Sequence, residues 1–294
     1  MMTSKSWILY FLLGLIFFAA CGIRQDTTNE PLATQDSTDT IVDKEEDNTT
    51  LDRKTTGEDG IFKEQKTFTV NNISVTRHHI FIKQGQTEEH IYYTFFEDQS
   101  KFAKLNEVIA EFANIARLDS IKIGGTSPLE DEEASYEGTQ RIDSVYFINP
   151  DLITVEFNYQ YMANGMECEN KENKLISYSI PKKNVIGLKD IFGAKTSEAQ
   201  RVIGEKLKTE FLKEIDNYAE NAYTKPSEES INVYKQKFTT TNFLKDAYLG
   251  IFKDTLAFSY TLGNECNLPP FVVGKVAIKD LADLLPKDSA YLKD

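Results

Sequence analysis

The chain of 294 residues predicts an α+β fold: antiparallel sheet packed on two main helices, preceded by a disordered tether. Three observations lead there. β-branched and aromatic residues alternate with polar ones in short runs between Lys66 and Ile278. Two stretches, 100–115 and 196–215, instead space their apolar residues at helical intervals. Between Gly22 and Gly60 neither pattern is present, and large apolar residues are reduced to Ile23, Leu32, Ile41, Val42 and Leu51.

That acidic stretch, with 11 acidic and 4 basic residues, buries too little surface to offset the entropy of ordering. Residues 21–60 are therefore expected to be an extended linker, held open by self-repulsion. Two subdomains are expected beyond it, an N-terminal α+β unit at 61–135 and a C-terminal α+β domain at 136–294. In the first, Lys66–Val70 and Ile73–Lys83 read as strands around Asn71-Asn72, and His90–Phe96 as a third. Ser100 is the expected cap of a helix whose apolar stripe is Phe102, Leu105, Val108, Ile109, Phe112 and Ile115. Asp119–Gln140, rich in Gly and acid, reads mainly as loop. Ile142–Ile148 and Leu152–Met162 form a hairpin across Asn149-Pro150-Asp151, followed by a strand at Leu175–Ile180. Gly187–Phe192 is a turn into the second helix, capped by Thr196 or Ser197, with a stripe of Ala199, Val202, Ile203, Leu207, Phe211 and Ile215. A polar connection follows, then strands at Phe238–Leu244, Leu249–Phe252, Thr255–Leu262 and Gly274–Ile278, and a short helix at Asp280–Leu285.

The N-terminus carries a different signal. One positive charge, Lys5, precedes an apolar run from Trp7 to Ala20. Its 14 residues of helix would rise about 21 Å, short of a hydrocarbon core of about 30 Å, so residues 1–20 read as an export signal and not a permanent span. Phe18-Ala19-Ala20-Cys21 resembles the bacterial lipobox, in which cleavage leaves the cysteine as an acylated N-terminus. Two or more acyl chains on Cys21 would make a firm membrane anchor, each buried CH₂ contributing about 0.8 kcal/mol. The folded part is then expected outside the cytoplasm of a bacterial envelope, at the inner or the outer membrane.

With Cys21 committed to lipid, Cys168 and Cys266 remain, an even pair in a compartment where disulfides persist. A bridge would close a loop of about 100 residues, worth up to about 4.7 kcal/mol on the chain-entropy model. Two buried free thiols are the alternative. Loss of Lys5 with the leader takes the net charge from −13 to −14, which argues against nucleic-acid binding and leaves a basic protein as a fitting partner.

No nucleophile elbow, P-loop, H-E-x-x-H or dinucleotide fingerprint occurs, and no catalytic residue or cofactor is expected. His78 and His79 are adjacent, so regular strand directs them to opposite faces and they cannot chelate one metal together. His90 could meet one of them across a hairpin, but ordinary half-buried strand histidines are the expectation, with no metal. Glu130-Asp131-Glu132-Glu133 lacks EF-hand spacing and reads as a solvated acidic loop.

One echo stands out. Phe157-Asn158-Tyr159 leads to Gly165-Met166-Glu167-Cys168, and Phe258-Ser259-Tyr260 leads to Gly263-Asn264-Glu265-Cys266. If the strand ends lie side by side, the cysteines meet at one sheet edge, flanked by Glu167 and Glu265. Those glutamates, with Phe271, are the candidate binding residues.

Phe147-Ile148-Asn149-Pro150-Asp151-Leu152-Ile153-Thr154-Val155 resembles a strand pair in the extracellular domain of RsiV-type anti-sigma factors. Gly187–Phe192 resembles that domain's turn before its long helix; Leu256–Tyr260, Pro269–Gly274, Val276–Ile278 and Leu281–Leu285 resemble its C-terminal block. The resemblance covers about 66–286 and implies an α+β ectodomain that, in such proteins, binds lysozyme; a related module accompanies a cell-wall deacetylase. Met1–Ser6 is too short for a cytoplasmic sigma-binding domain, and neither that nor a deacetylase domain is expected. The family's G-G-A-H turn is replaced around Ala163-Asn164-Gly165, so no individual binding residue carries over. The preferred expectation is a non-catalytic, lipid-anchored protein whose ectodomain recognises a protein or cell-wall glycan. A cell-wall hydrolase using converging carboxylates and a structural envelope component are the alternatives.

Overall fold

The computed structural model describes residues 39–41, 59–118, 137–162, 169–263 and 265–286. Glu130–Glu133, Glu167 and Cys168, like Cys21 and the expected export signal at 1–20, lie outside them. Within them the chain is α+β, as the patterning predicts. One sheet runs β2 (Gly60–Val70), β3 (Ile73–Gln84), β4 (Thr87–Phe96), β5 (Glu137–Asn149), β6 (Leu152–Met162), β7 (Asn170–Ser179) and β8 (Asn184–Ile186), with β1 (Asp39–Ile41) also paired to β5. A second sheet has the order β11 (Phe271–Ala277), β10 (Thr255–Thr261), β9 (Tyr248–Ile251). Asn71 and Asn72 both take positive φ, the conformation a tight two-residue hairpin requires. Asn149 Oδ1 accepts the Asp151 N–H at 2.9 Å, fixing the β5–β6 turn.

The β5 strand changes partner along one edge. Glu137–Ile142 pair in parallel with Thr87–Tyr92, and then β4 departs; Val145–Phe147 pair instead with Asp39–Ile41. At the changeover the Asp143 carboxylate takes the Thr94 N–H at 2.7 Å, a bond the ladder no longer supplies. Its charge is met by Arg77, which also donates to Thr94 Oγ1. Residues 39–41, expected within the disordered linker, are thus strand because β5 offers them an unpaired edge. The same parallel pair joins the two expected subdomains in one sheet.

Helix α1 (Gln99–Phe112) lays Phe102, Leu105 and Ile109 on Phe96, Val145, Val155, Phe157 and Tyr178. Its cap is Asp98 and not Ser100: the Asp98 carboxylate accepts both the Ser100 N–H and hydroxyl, so the helix starts two residues earlier. Buried Asn106 grips the end of β4 through both the N–H and the carbonyl of Phe96. Ile115 lies past the end of α1, in the short helix α2 (Ile115–Leu118), after Asn114 turns to positive φ. Strand β5 begins at Glu137, inside the segment expected to be loop, because β4 and β6 pair with it there.

The second core surrounds α4 (Thr196–Asn221), reached through α3 (Leu188–Phe192) and a 3-10 turn, Gly193–Lys195. Ala199, Ile203, Leu207, Phe211 and Ile215 are fully buried against the small sheet, each large side chain contributing about 1.5–3 kcal/mol. Neither Thr196 nor Ser197 is its cap: Lys195 holds that place, and Thr196 Oγ1 donates to Gly193 O at 2.6 Å. Gly204 sits mid-helix because a Cβ there would lie 2.5 Å from Thr241 Cγ2, and the close approach admits the 3-10 turn Thr241–Lys245. That turn corrects the strand expected at Phe238–Leu244. Phe238 and Phe243 pack with Phe211 at 5.1 and 5.6 Å and edge-on against Tyr260 of β10, while Thr240 caps Asn242, and among the described residues no strand pairs with the segment. The polar connection holds a helix, α5 (Glu228–Gln236), capped by Ser227. The short helix expected at Asp280–Leu285 is present as a 3-10 helix, Ile278–Leu284.

Strand β11 meets α4 in an uncommon way: Val273 N–H donates to Glu214 and Lys275 N–H to Glu210, both on the helix. Burial, aided by the charge of Glu210 and opposed by the Val273 bond, pushes the Glu214 carboxyl up to about 7 from 4.5. Between those values the folded chain keeps a proton that the unfolded chain releases, so this group's contribution falls as pH rises from 4.5 to 7. Glu214→Gln is expected to flatten that slope and raise stability at pH 8 by about 1–3 kcal/mol, with Gln Oε1 still accepting from Val273. Urea midpoints at pH 5 and pH 8 check both; a parallel pH dependence in the variant would contradict it.

Candidate functional site

The region singled out by the sequence echo lies where the two sheets meet. Asn173 of β7 joins the middle residues of both echoed triplets: its Nδ2 donates to Asn158 Oδ1 at 2.9 Å, and its carbonyl accepts Ser259 Oγ at 2.6 Å. The two triplets are therefore linked through β7. Beyond β10, Gly263 at φ 150 passes beside the Tyr234 hydroxyl. The Glu265 N–H donates to that hydroxyl at 3.3 Å, leaving the side chain exposed. Lys237 donates to the Leu262 carbonyl and lies 5.0 Å from the Tyr234 ring. Burial holds its ammonium below the usual lysine value, with Glu265 acting against that. Phe271 is half-buried and pairs with Thr261 at the same end of β10. Cys266 is half-buried in the turn after Glu265.

Deeper between the sheets sits a polar cluster the sequence did not reveal. Glu156, 4 % exposed, accepts the Tyr146 hydroxyl at 2.9 Å and Asn173 Nδ2 at 2.6 Å. Burial and then the Glu156 charge raise the Tyr146 phenol far above its ordinary value. Lys275 is pulled down by burial and held up by the same carboxylate. With each Glu156 oxygen already accepting a hydrogen bond, the cluster fastens β5, β6 and β7 together beneath the small sheet. Only the pairing of Tyr146 with Thr154 and of Glu156 with Leu175 in neighbouring strands hints at it, and that register is not visible in one sequence.

On β2–β4 a second group forms. Two cross-strand rows, Phe62–Phe81–His90 and Glu64–His79–Tyr92, follow the strand register. His79 stacks on Tyr92 with centroids 4.1 Å apart and His90 on Phe81 at 4.7 Å. The ring faces are thereby turned on one another, leaving edges for an outside group. His90 meets His79, as the hairpin register permits, with Nδ1 3.2 Å from His79 Nε2; His78 stacks separately on Tyr93 at 4.6 Å. Burial holds His90 below the ordinary imidazole value, against the charge of Glu88.

No family model and no curated protein matches the chain. Among solved structures, it is similar to a DUF3298 family protein from Pseudomonas aeruginosa PAO1, with 10% identity and a TM-score of 0.44, over 81% of this chain and 99% of that one. It is also similar to a member of the same family from Bacteroides fragilis NCTC 9343, with 11% identity and a TM-score of 0.38, over 80% of this chain and 98% of that one. These structural neighbours are DUF3298 family proteins.

Proposed function

We propose that the chain is a lipid-anchored envelope protein whose α+β domain binds a protein or cell-wall glycan without turning it over. The apolar run ending in Ala19-Ala20-Cys21, followed by an acidic spacer and then the first long strand at Gly60, is the observation that carries this reading. The resemblance of 66–286 to RsiV-type ectodomains supports the binding role. In this reading a disulfide between Cys168 and Cys266 ties the β6–β7 connection to the segment after β10; the Asn158–Asn173–Ser259 chain, which links β6 and β10 through β7, supports that pairing. The binding rim is then Glu265 and Phe271 with Glu167, and the net charge of −13 favours a basic partner. Full chain in detergent micelles is expected to retain a basic lysozyme at low salt, with affinity falling as salt rises and falling further in Glu265→Lys. Titration calorimetry checks this. Absence of binding at low salt, or affinity indifferent to salt, would rule out the basic-protein ligand.

A further inference from the structure

We propose that β2 is an interface through which two copies of this chain pair edge to edge, joining their large sheets into one. β2 ends the strand order, and among the described residues no strand pairs with its outer edge. At 11 residues it is a long strand to leave open. Nor is it blunted by the usual devices: it contains no proline, and its register with β3 runs from Gly60 to Val70 without a bulge.

The phase of the hairpin decides which backbone groups face outward. Val70 and Ile73 flank the two-residue turn, and such a flanking pair exchanges both ladder bonds. Alternation then points the N–H and C=O of Ile61, Lys63, Gln65, Thr67 and Thr69 away from β3. Two contacts agree with that phase. The Ser74 carbonyl, opposite Thr69, accepts the Glu97 N–H on the β4 side at 3.1 Å. The Thr67 and Thr76 hydroxyls meet at 2.7 Å, as in a close pair without ladder bonds.

A two-fold axis at Gln65, the middle of the strand, satisfies all five outward residues at once. Gln65 then exchanges ladder bonds with Gln65 of the other copy, Lys63 with Thr67, and Ile61 with Thr69. On the other face of the strand Glu64 stands opposite Lys66, and Phe62 opposite Phe68, each pair occurring twice. Lys63 to Thr67 are exposed, so these groups are available to a second chain. The charges also select the register. Moving the axis by one residue, to Glu64 or to Lys66, keeps the backbone phase but sets Glu64 against Glu64 or Lys66 against Lys66. Like charges directly opposite destabilise a strand pair, whereas unlike ones stabilise it. A second copy is therefore the partner that this edge fits along its whole length.

The test uses the full chain in detergent micelles. Analytical ultracentrifugation is expected to show a concentration-dependent equilibrium between monomer and dimer. Carbodiimide treatment of an equal mixture of light and isotopically heavy chain is expected to join Glu64 of one copy to Lys66 of the other, giving mixed-isotope peptides. Glu64→Lys and Lys66→Glu each set like charges opposite one another twice, and each alone should weaken self-association roughly tenfold. Mixing the two variants should restore a dimer with one copy of each, since every facing charge pair is then unlike. A chain that stays monomeric at every concentration, cross-links confined to unmixed peptides, or single variants that associate as well as the unmutated chain would overturn the interface. Two weakened variants that fail to recover on mixing would overturn the register centred on Gln65.

Discussion

Asp143→Ala is expected to cost about 3–5 kcal/mol of folding free energy, because it leaves a buried guanidinium without its counter-charge. The Asp143 side chain is 0% exposed and that of Arg77 is 7% exposed. Asp143 also replaces a missing ladder bond, accepting the Thr94 N–H where β4 leaves β5. The variant would therefore lose a charge partner and a backbone acceptor at one point. Asp143→Asn keeps an oxygen for Thr94 and should fall between the variant and the unmutated chain. Urea unfolding followed by far-UV circular dichroism measures both. Equal midpoints for all three proteins would mean the pair contributes nothing.

Gly274→Val should be of comparable size, through packing instead of charge. A Cβ at this position would lie 2.6 Å from Leu207 Cδ2 and 2.8 Å from Phe211 Cε1, both in the fully buried stripe of α4. Gly274→Ala alone should cost about 1–3 kcal/mol as overpacking, and the two further methyl groups of valine more. Pushing β11 off the helix would also pull Val273 and Lys275 away from Glu214 and Glu210, leaving edge N–H groups without those acceptors. Leu207→Ala in the same chain should return part of the loss, since the clash and the cavity would offset one another. A double variant no more stable than the sum of the singles would contradict the close approach.

What could be read from the sequence was set by periodicity. The stripes of α1 and α4, the Asn71-Asn72 turn and the Asn149-Pro150-Asp151 hairpin are local patterns, and the chain follows them. Phe238–Leu244 shows how the same logic misleads: Thr-rich, aromatic sequence suits a strand, but Phe238 and Phe243 pack between Phe211 of α4 and Tyr260 of β10, and among the described residues no strand pairs there. Helix α5 did leave a signal, Ser227 followed by Glu228 and Glu229 with Lys235 in the last turn, an arrangement that complements the helix dipole. Asp143 and Glu156 look from sequence like outward-facing polar positions on strands. Their burial depends on where β5 changes partner and where the second sheet lands, both long-range facts. The pairing of His79 with His90 lies between: the hairpin makes it foreseeable, and the ring stacking that sets its geometry requires the register.

Anchoring of a binding domain to a membrane through Cys21 can be read by metabolic labelling with a radioactive fatty acid in a bacterial host. Label on the chain, a mature N-terminus at Cys21, and loss of both label and membrane retention in Cys21→Ser are expected. An unlabelled chain, or label that persists in the Cys21→Ser variant, would contradict it.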